Sequence, residues 1–363
     1  MSRARRETTM SALILAGGTG GHVYPALAVA EALRELGWRV QWLGSSGGME
    51  GRLVPAAGFD LRAVRVRGVR GKGLLKLLLA PGMLFLALVQ SAAIIMKLRP
   101  SLVLGMGGFV AGPAALAAWM LRRPLVIHEQ NAVPGLTNRL LAPLARVVLE
   151  AFPGTFARGD VRYTGNPLRR SITALEPKQP LGPGLRLLIL GGSQGAEALN
   201  ECMPEVVREL RARHSGFPVS GVHQAGTRHF EMTRRRYEGV AGIDVRDFLD
   251  DMAGAYRAAN LVICRAGAMT VAELAAAGVA SVLVPFPFAV DDHQTANARY
   301  LSEHGAAILL SQDEASVEAL LTAIDRFIAD PSLACRMGDA ARQRAMPDAT
   351  RRVVDCCREV ARG

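Results

Sequence analysis

Two stretches of this chain are built alike, and that repetition limits the fold more than any other feature. Ala12 to Ala16 is a short apolar run that enters the turn Gly17-Gly18-Thr19-Gly20-Gly21-His22. Helical periodicity then runs from Pro25 to Leu36, Gly37 closes it, and Trp38 to Leu43 reads as a second strand. Leu185 to Leu190 repeats the opening: an apolar strand, the turn Gly191-Gly192-Ser193-Gln194-Gly195, and a helix over Ala196 to Leu210. Further strand-like runs lie at Leu102–Leu104, Leu125–Ile127 and Val147–Leu149, and in the second half at Val219–His223, Leu261–Cys264 and Ser281–Val284. Strands alternating with helices in this way predict an α/β protein of two doubly wound parallel-sheet domains. Thr173 to Gly184 contains Pro177, Pro180 and Pro183 and is expected to be the linker. The expected domains are 10–168 and 169–340, with a helix over 341–363 packing back on the first.

A length of 363 residues suits two ordinary domains, and 50% hydrophobic against 21% charged residues suits a packed core. The net charge of +11 is lopsided: residues 1–165 hold 20 Lys and Arg against 8 Asp and Glu, and the remainder hold 23 against 24. A basic first half calls for an anionic partner such as phosphate, nucleic acid or acidic lipid. The five cysteines form no CxxC pair, which argues against a metal or disulfide framework and for a reducing compartment. The basic, then apolar, N-terminus mimics a signal peptide but runs straight into a glycine loop, so it reads as a first strand behind a disordered tail of nine residues. Leu77 to Met96 has only Gln90 and Ser91 as polar residues. Pro81-Gly82 is expected to break it, leaving roughly fourteen residues, too short to span a bilayer. Lys72, Lys76, Lys97 and Arg99 flank it, so it is either a helix packed on the sheet or an apolar patch resting on an anionic bilayer.

Chemistry is expected at the strand ends. The first glycine loop lets backbone approach a ligand, and the helix after it offers N–H groups to an anion. It fits neither GxGxxG nor a P-loop, so neither NAD nor a Walker-type nucleotide site is supported. His22, where strand hands over to helix, is a candidate general base or polar contact. Gly105-Met106-Gly107-Gly108-Phe109 forms a second such loop, and His128-Glu129-Gln130-Asn131 puts four hydrogen-bonding side chains after a buried strand. In the second half, Arg265 to Glu273 turns at Gly267 into a helix beginning near Thr270. Glu273 is a candidate to accept ribose hydroxyls, to complete the capping box Thr270-Val-Ala-Glu273, or to do both. Asp291-Asp292-His293-Gln294 follows another strand, without the spacing of a DxD metal motif.

Gly17–His22, Gly105–Phe109, His128–Asn131, Gly165-Asn166-Pro167, Gly191–Gly195 and Arg265–Glu273, in this order, closely resemble the MurG family over nearly all of residues 12–360. These are UDP-N-acetylglucosamine–N-acetylmuramyl-(pentapeptide) pyrophosphoryl-undecaprenol N-acetylglucosamine transferases. The resemblance implies a GT-B fold, two Rossmann-like domains facing a cleft. It implies inverting transfer of GlcNAc from UDP-GlcNAc to the C4 hydroxyl of lipid I, giving lipid II for peptidoglycan synthesis. Work at the cytoplasmic face of the inner membrane is implied too, with an anionic membrane surface and cell-wall synthesis and division proteins as partners, and no cofactor, metal or nucleic acid. Residue by residue, Ser193 and the helix start after Gly195 would meet the diphosphate, with Arg169 steadying it. Leu249 would lie beside the uracil. Ala268, Met269, Thr270, Val271, Ala272 and Glu273 would wrap phosphate and ribose. Gln294 and His293 would read sugar hydroxyls, their division of labour left open. Thr19, Gly20, Gly21 and Asn131 would touch the donor sugar from across the cleft. For the base, His22 is the first choice and Glu129 the second. Leu77, Leu78, Met83, Phe85 and Trp119 would form the apolar membrane contact.

Two readings compete. A UDP-sugar 2-epimerase shares the fold and needs no acceptor. A non-enzymatic binder of nucleotide sugars or nucleic acid is a different class; sparse aromatics and the lack of a nucleic-acid motif weigh against the latter ligand.

Overall fold

The computed structural model describes residues 10–64, 74–158, 160–178, 184–191 and 196–363, without the side chains of 74–80 and 290. The expected tail and Ser193 lie outside the described residues. The chain divides into two compact units: one runs to Arg169 and regains Asp348–Gly363, and the other spans Arg170–Pro347.

The first unit contains β1 (Ser11–Leu15), α1 (Gly20–Glu35), β2 (Arg39–Gly44), α2 (Glu50–Ala56), β3 (Asp60–Ala63) and α3 (Leu74–Leu98). It continues with β4 (Leu102–Gly105), α4 (Ala111–Met120), β5 (Leu125–Glu129), α5 (Leu136–Leu141), β6 (Val147–Glu150) and β7 (Val161–Tyr163). All seven strands are parallel, in the order β3-β2-β1-β4-β5-β6-β7. Ile14 and Trp42 face one buried layer, and Leu13, Leu15 and Leu43 the other, as expected of strands covered on both sides.

The second unit contains α6 (Arg170–Thr173), β8 (Leu185–Leu190), α7 (Glu197–Arg213), β9 (Val219–Gln224), α8 (Phe230–Arg236), β10 (Ile243–Arg246) and α9 (Met252–Ala258). It goes on through β11 (Leu261–Cys264), α10 (Ala268–Ala277), β12 (Ala280–Leu283), α11 (His293–Ser302), β13 (Ile308–Leu309), α12 (Val317–Ala329) and α13 (Leu333–Gln343). Its parallel sheet runs β10-β9-β8-β11-β12-β13. The last helix, α14 (Ala349–Arg362), packs on α1 in the first unit and buries Val353, Val354, Cys357 and Val360 there. Residues 341–343, expected in this helix, instead finish α13. All five cysteines are free thiols.

Three sequence expectations need correction. The helix expected from Pro25 begins at Gly20, because first-turn N–H groups have no intrahelical partner to lose and glycine there costs little. The linker expected at 173–184 is partly held in the second unit: Leu175 is buried, and Lys178 Nζ donates to the carbonyls of Tyr256 and Arg257 at the end of α9. Burial and neighbouring guanidinium groups lower the Lys178 pKa to about 8. Finally, Pro81 does not break α3, which runs 25 residues. A proline forfeits one hydrogen bond and can bend a helix without ending it. Residues Pro81–Leu98 are therefore long and apolar enough, by length and composition alone, to cross a membrane. Ala87, Ser91 and Ile95, at i, i+4 and i+8, are buried as one stripe against α4. Leu84, Phe85, Leu86, Val89 and Met96 are exposed.

Candidate functional site

In the first unit the strand order reverses between β1 and β4, neighbours in space but not in sequence. Such a reversal opens a crevice at the carboxyl ends of the strands, where doubly wound sheets bind ligands. Both glycine loops of the first half emerge there. They touch through backbone: a Cβ on Gly108, whose φ is +87, would stand 2.2 Å from the Gly17 carbonyl oxygen. Trp42 Nε1 donates to the Ala16 carbonyl at 2.8 Å and pins the start of the first loop.

Glu50, which the sequence did not single out, organises that loop. It is fully buried; its Oε2 accepts the Gly18 N–H at 3.0 Å, and its Oε1 accepts Ser45 N–H and Oγ–H at 3.0 and 2.6 Å. A Cβ on Gly17 or Gly48 would sit 2.5 or 2.2 Å from this carboxylate. Only strand order brings Glu50 to Gly18, and the one local signal is Ser45-Ser-Gly-Gly-Met-Glu50, a small-residue loop entering a helix with an acidic first residue.

Thr19 is the N-cap of α1, with Gly20, Gly21 and His22 as its first turn. The His22 ring is half-buried, and its Nδ1 lies 2.9 Å from Gln130 Oε1. Gln130 Nε2 contacts His128 Nδ1 at 3.0 Å and the His128 carbonyl at 3.2 Å. His128 Nε2 faces the Gly165 carbonyl at 3.0 Å. Burial lowers the His128 pKa to about 4, so the ring is neutral near pH 7. Gly107 makes room for this chain, since a Cβ there would meet His22 Nδ1 at 2.7 Å.

Glu129, expected as second choice of base, is committed elsewhere. Oε1 accepts Asn131 N–H and Nδ2–H at 2.9 and 3.1 Å, and Oε2 accepts Gly135 N–H and Asn138 Nδ2–H at 3.1 and 2.9 Å. Both oxygens are filled and the side chain is buried, so it orders the loop that presents Asn131. Arg169 closes the unit with its guanidinium 5.3 Å from the Tyr24 ring centre.

In the second unit the order reverses between β8 and β11. The loop after β11 leads into α10, capped by Gly267 and starting at Ala268. Thr270 is therefore a first-turn residue, and the capping-box reading of Thr270 and Glu273 does not hold. Glu273 sits half-buried a turn further in, and its Oε2 accepts the Tyr256 hydroxyl at 3.0 Å. Met269, Thr270 and Ala272 are half-buried; Ala268 and Val271 are buried. Leu249 is half-buried between β10 and α9. Arg265 is spent structurally, on the carbonyls of Val284 and Pro285 and on Gln312 Oε1. Gln294, in the first turn of α11, accepts the Phe286 N–H through Oε1 at 3.0 Å, with His293 beside it. Asp291 and Asp292 just before them have φ of 53° and 49°, a left-handed pair that L-residues adopt at a cost. Among the described residues no group of three or more His, Cys, Asp or Glu side chains is placed to hold a metal ion.

Two doubly wound sheets, each with a glycine-lined reversal point, define the class. Residues 12–150 match the glycosyltransferase family 28 N-terminal domain, and 186–353 match the family 28 C-terminal domain. The chain is 52% identical to the UDP-N-acetylglucosamine–N-acetylmuramyl-(pentapeptide) pyrophosphoryl-undecaprenol N-acetylglucosamine transferase of Thiobacillus denitrificans, over 96% of this chain and 98% of that one. It is 51% identical to the enzyme of the same name from Alkalilimnicola ehrlichii, over 98% and 100%. The crystal structure of Acinetobacter baumannii MurG superposes with a TM-score of 0.81 at 40% identity, over 96% of this chain and 99% of that one. A putative UDP-N-acetylglucosamine 2-epimerase from Listeria monocytogenes, at 14% identity and a TM-score of 0.69 over 95% of each chain, shares the fold alone. The chain belongs to the MurG family of N-acetylglucosamine transferases.

Proposed function

We propose that this enzyme transfers GlcNAc from UDP-GlcNAc to the C4 hydroxyl of the MurNAc-pentapeptide of lipid I, giving lipid II for peptidoglycan synthesis. The observation that carries the residue assignment is His22 in the first turn of α1, at the strand-order reversal, with one ring nitrogen held by Gln130. In a single displacement the acceptor oxygen bonds to the anomeric carbon, the bond from that carbon to the UDP oxygen breaks, and the UDP takes the electron pair. The hydroxyl proton passes to His22 and on to solvent. Charge growing on UDP is stabilised by the N-terminus of α10 and by Arg169.

On the donor side Glu273, steadied by Tyr256, takes the ribose hydroxyls, and Ala268 to Ala272 line phosphate and ribose. Leu249 lies against uracil, Ser193 meets the diphosphate, and Gln294 with His293 reads the sugar. Thr19, Gly20, Gly21 and Asn131 contact the donor sugar. Because Glu129 has no acceptor position left, His22 alone is assigned as base.

The enzyme works at the cytoplasmic face of the inner membrane, resting on anionic lipid through α3, α4 and α5. Support comes from the exposed Phe85, Trp119, Leu136 and Leu140, with Lys97, Arg99, Arg122 and Arg139 at the surface of the same unit. Of the apolar contacts expected from sequence, Met83 is half-buried and the side chains of Leu77 and Leu78 lie outside the described residues. Cell-wall synthesis and division proteins are the further partners proposed.

The linkage in the product tests the chemistry. Nuclear magnetic resonance of the disaccharide formed from UDP-GlcNAc and a lipid I analogue is expected to show a β-linked GlcNAc on the MurNAc C4 oxygen. An α-linkage would overturn the single displacement.

A further inference from the structure

Four groups in the first unit form a continuous hydrogen-bonded line, from the Gly165 carbonyl through His128 and Gln130 to His22. The hydrogens along it can be assigned without seeing them. A carbonyl oxygen only accepts, so His128 Nε2, 3.0 Å from Gly165 O, carries a hydrogen. Burial keeps His128 neutral, so its Nδ1 is a lone-pair acceptor. The atom of Gln130 facing that Nδ1 must then be the amide nitrogen, and the same nitrogen lies 3.2 Å from the His128 carbonyl, another pure acceptor. Turning the amide over would set its oxygen against both, which excludes the flip. Both amide hydrogens being used, Gln130 presents only its carbonyl oxygen to His22 at 2.9 Å. His22 must therefore donate from Nδ1, and in the neutral ring the lone pair lies on Nε2. Among the described residues that Nε2 meets no hydrogen-bond partner.

We propose that Gln130 and His128 are positioning residues that hold His22 in the Nδ1–H tautomer and aim the Nε2 lone pair at the acceptor hydroxyl. The arrangement has the logic of a hydrolytic triad, in which a buried partner fixes the imidazole tautomer, but every member is uncharged. A neutral partner does not raise the basicity of an imidazole as a carboxylate would. Gly107 belongs to the device, because with φ +98 and a Cβ position 2.7 Å from His22 Nδ1 it leaves the ring its place. The catalytic consequence rests on the reading of His22 as base; the tautomer does not.

The test is the nitrogen resonance spectrum of protein labelled with 15N-histidine, at about pH 8, where a free imidazole is neutral, with His22→Gln assigning the signals. The expected result is a protonated Nδ1 and an unprotonated Nε2 on His22. In Gln130→Met the two tautomers should mix, and kcat should fall roughly 10- to 100-fold with little change in the KM for UDP-GlcNAc. Gln130→Glu sets a carboxylate beside Nδ1 and should move the acid limb of the kcat/KM profile upward by about one pH unit or more. A protonated Nε2 in the wild-type protein would overturn the proposal outright. So would a Gln130→Met protein with the wild-type tautomer and turnover. Normal turnover in His22→Ala with the expected tautomer in the wild type would instead sink the base reading and leave the relay standing.

Discussion

His128, Glu129 and Gln130 are consecutive, yet Glu129 bonds to a different set of groups from the other two, and only their partners reveal it. Glu129 accepts four hydrogen bonds, from Asn131, Gly135 and Asn138, so Glu129→Gln sets an amide N–H₂ against N–H donors. A stability loss of about 1–3 kcal/mol by denaturant unfolding is expected, with activity falling as the loop loosens. His22→Ala should do the reverse: stability changes little, kcat falls about 10²- to 10⁴-fold, and UDP-GlcNAc binding persists. If Glu129→Gln instead kept full stability and lost turnover as steeply as His22→Ala, the two roles would have to be exchanged. On the donor side, Glu273→Ala should raise the KM for UDP-GlcNAc about tenfold, the equivalent of ~1.4 kcal/mol. Tyr256→Phe, which removes only the hydroxyl that steadies Glu273, should raise it less. Equal KM values in wild type and Glu273→Ala would remove Glu273 from the ribose.

Among the elements, the glycine loops show what a substitution would do to neighbouring strands' loops at once. Gly107→Ala adds a Cβ where φ is +98 and the His22 ring stands, so kcat should collapse while the fold survives; unchanged kinetics would mean that the ring moves aside freely. The loops and the strands that carry them were legible in sequence, because a buried parallel strand is a short apolar run and the turn after it needs glycine. His22 and the His128–Asn131 cluster were legible for the same reason, being polar residues just beyond such runs. Glu50 was not: it holds Gly18 only because β2 lies beside β1, and strand order is not written locally. Nor was the meeting of Gly107 with His22, which depends on β4 lying against β1. Local motifs misled in α3 and α10. Pro81 suggested a break that α3 does not make, and Thr270-Val-Ala-Glu273 matched a capping box although Gly267 is the cap. A proline forfeits one hydrogen bond without ending a helix, and a helix that starts at Ala268 leaves Thr270 inside its first turn.

Across the whole molecule, each unit buries one histidine that is neutral when folded. His128 is lowered to about 4 and His223, bonded to Tyr237 and Asn200, to about 3, both by burial. Unfolded, both rings protonate near pH 6.5. Below that pH the unfolded chain binds more protons than the folded one, so stability is full above about pH 6.5 and declines as pH falls toward 4 and 3. The eventual loss is of the order of a few kcal/mol per ring. Urea unfolding at about pH 7 and pH 5 should show it, and His223→Gln should flatten the slope in part; no pH dependence in that window would contradict the burial of neutral rings. The proposed contact with anionic lipid is tested at this scale too. Leu140→Asp should weaken sedimentation with anionic vesicles while leaving solution turnover on a short-chain acceptor intact, and equal binding to neutral vesicles would count against an electrostatic contribution. The central claim, that this chain joins a nucleotide sugar to a lipid-linked acceptor, is tested most directly by UDP release from UDP-GlcNAc with and without a lipid I analogue in detergent. Release that depends on the analogue and matches disaccharide formed one for one is the expected result; UDP released at the same rate without the analogue would contradict it.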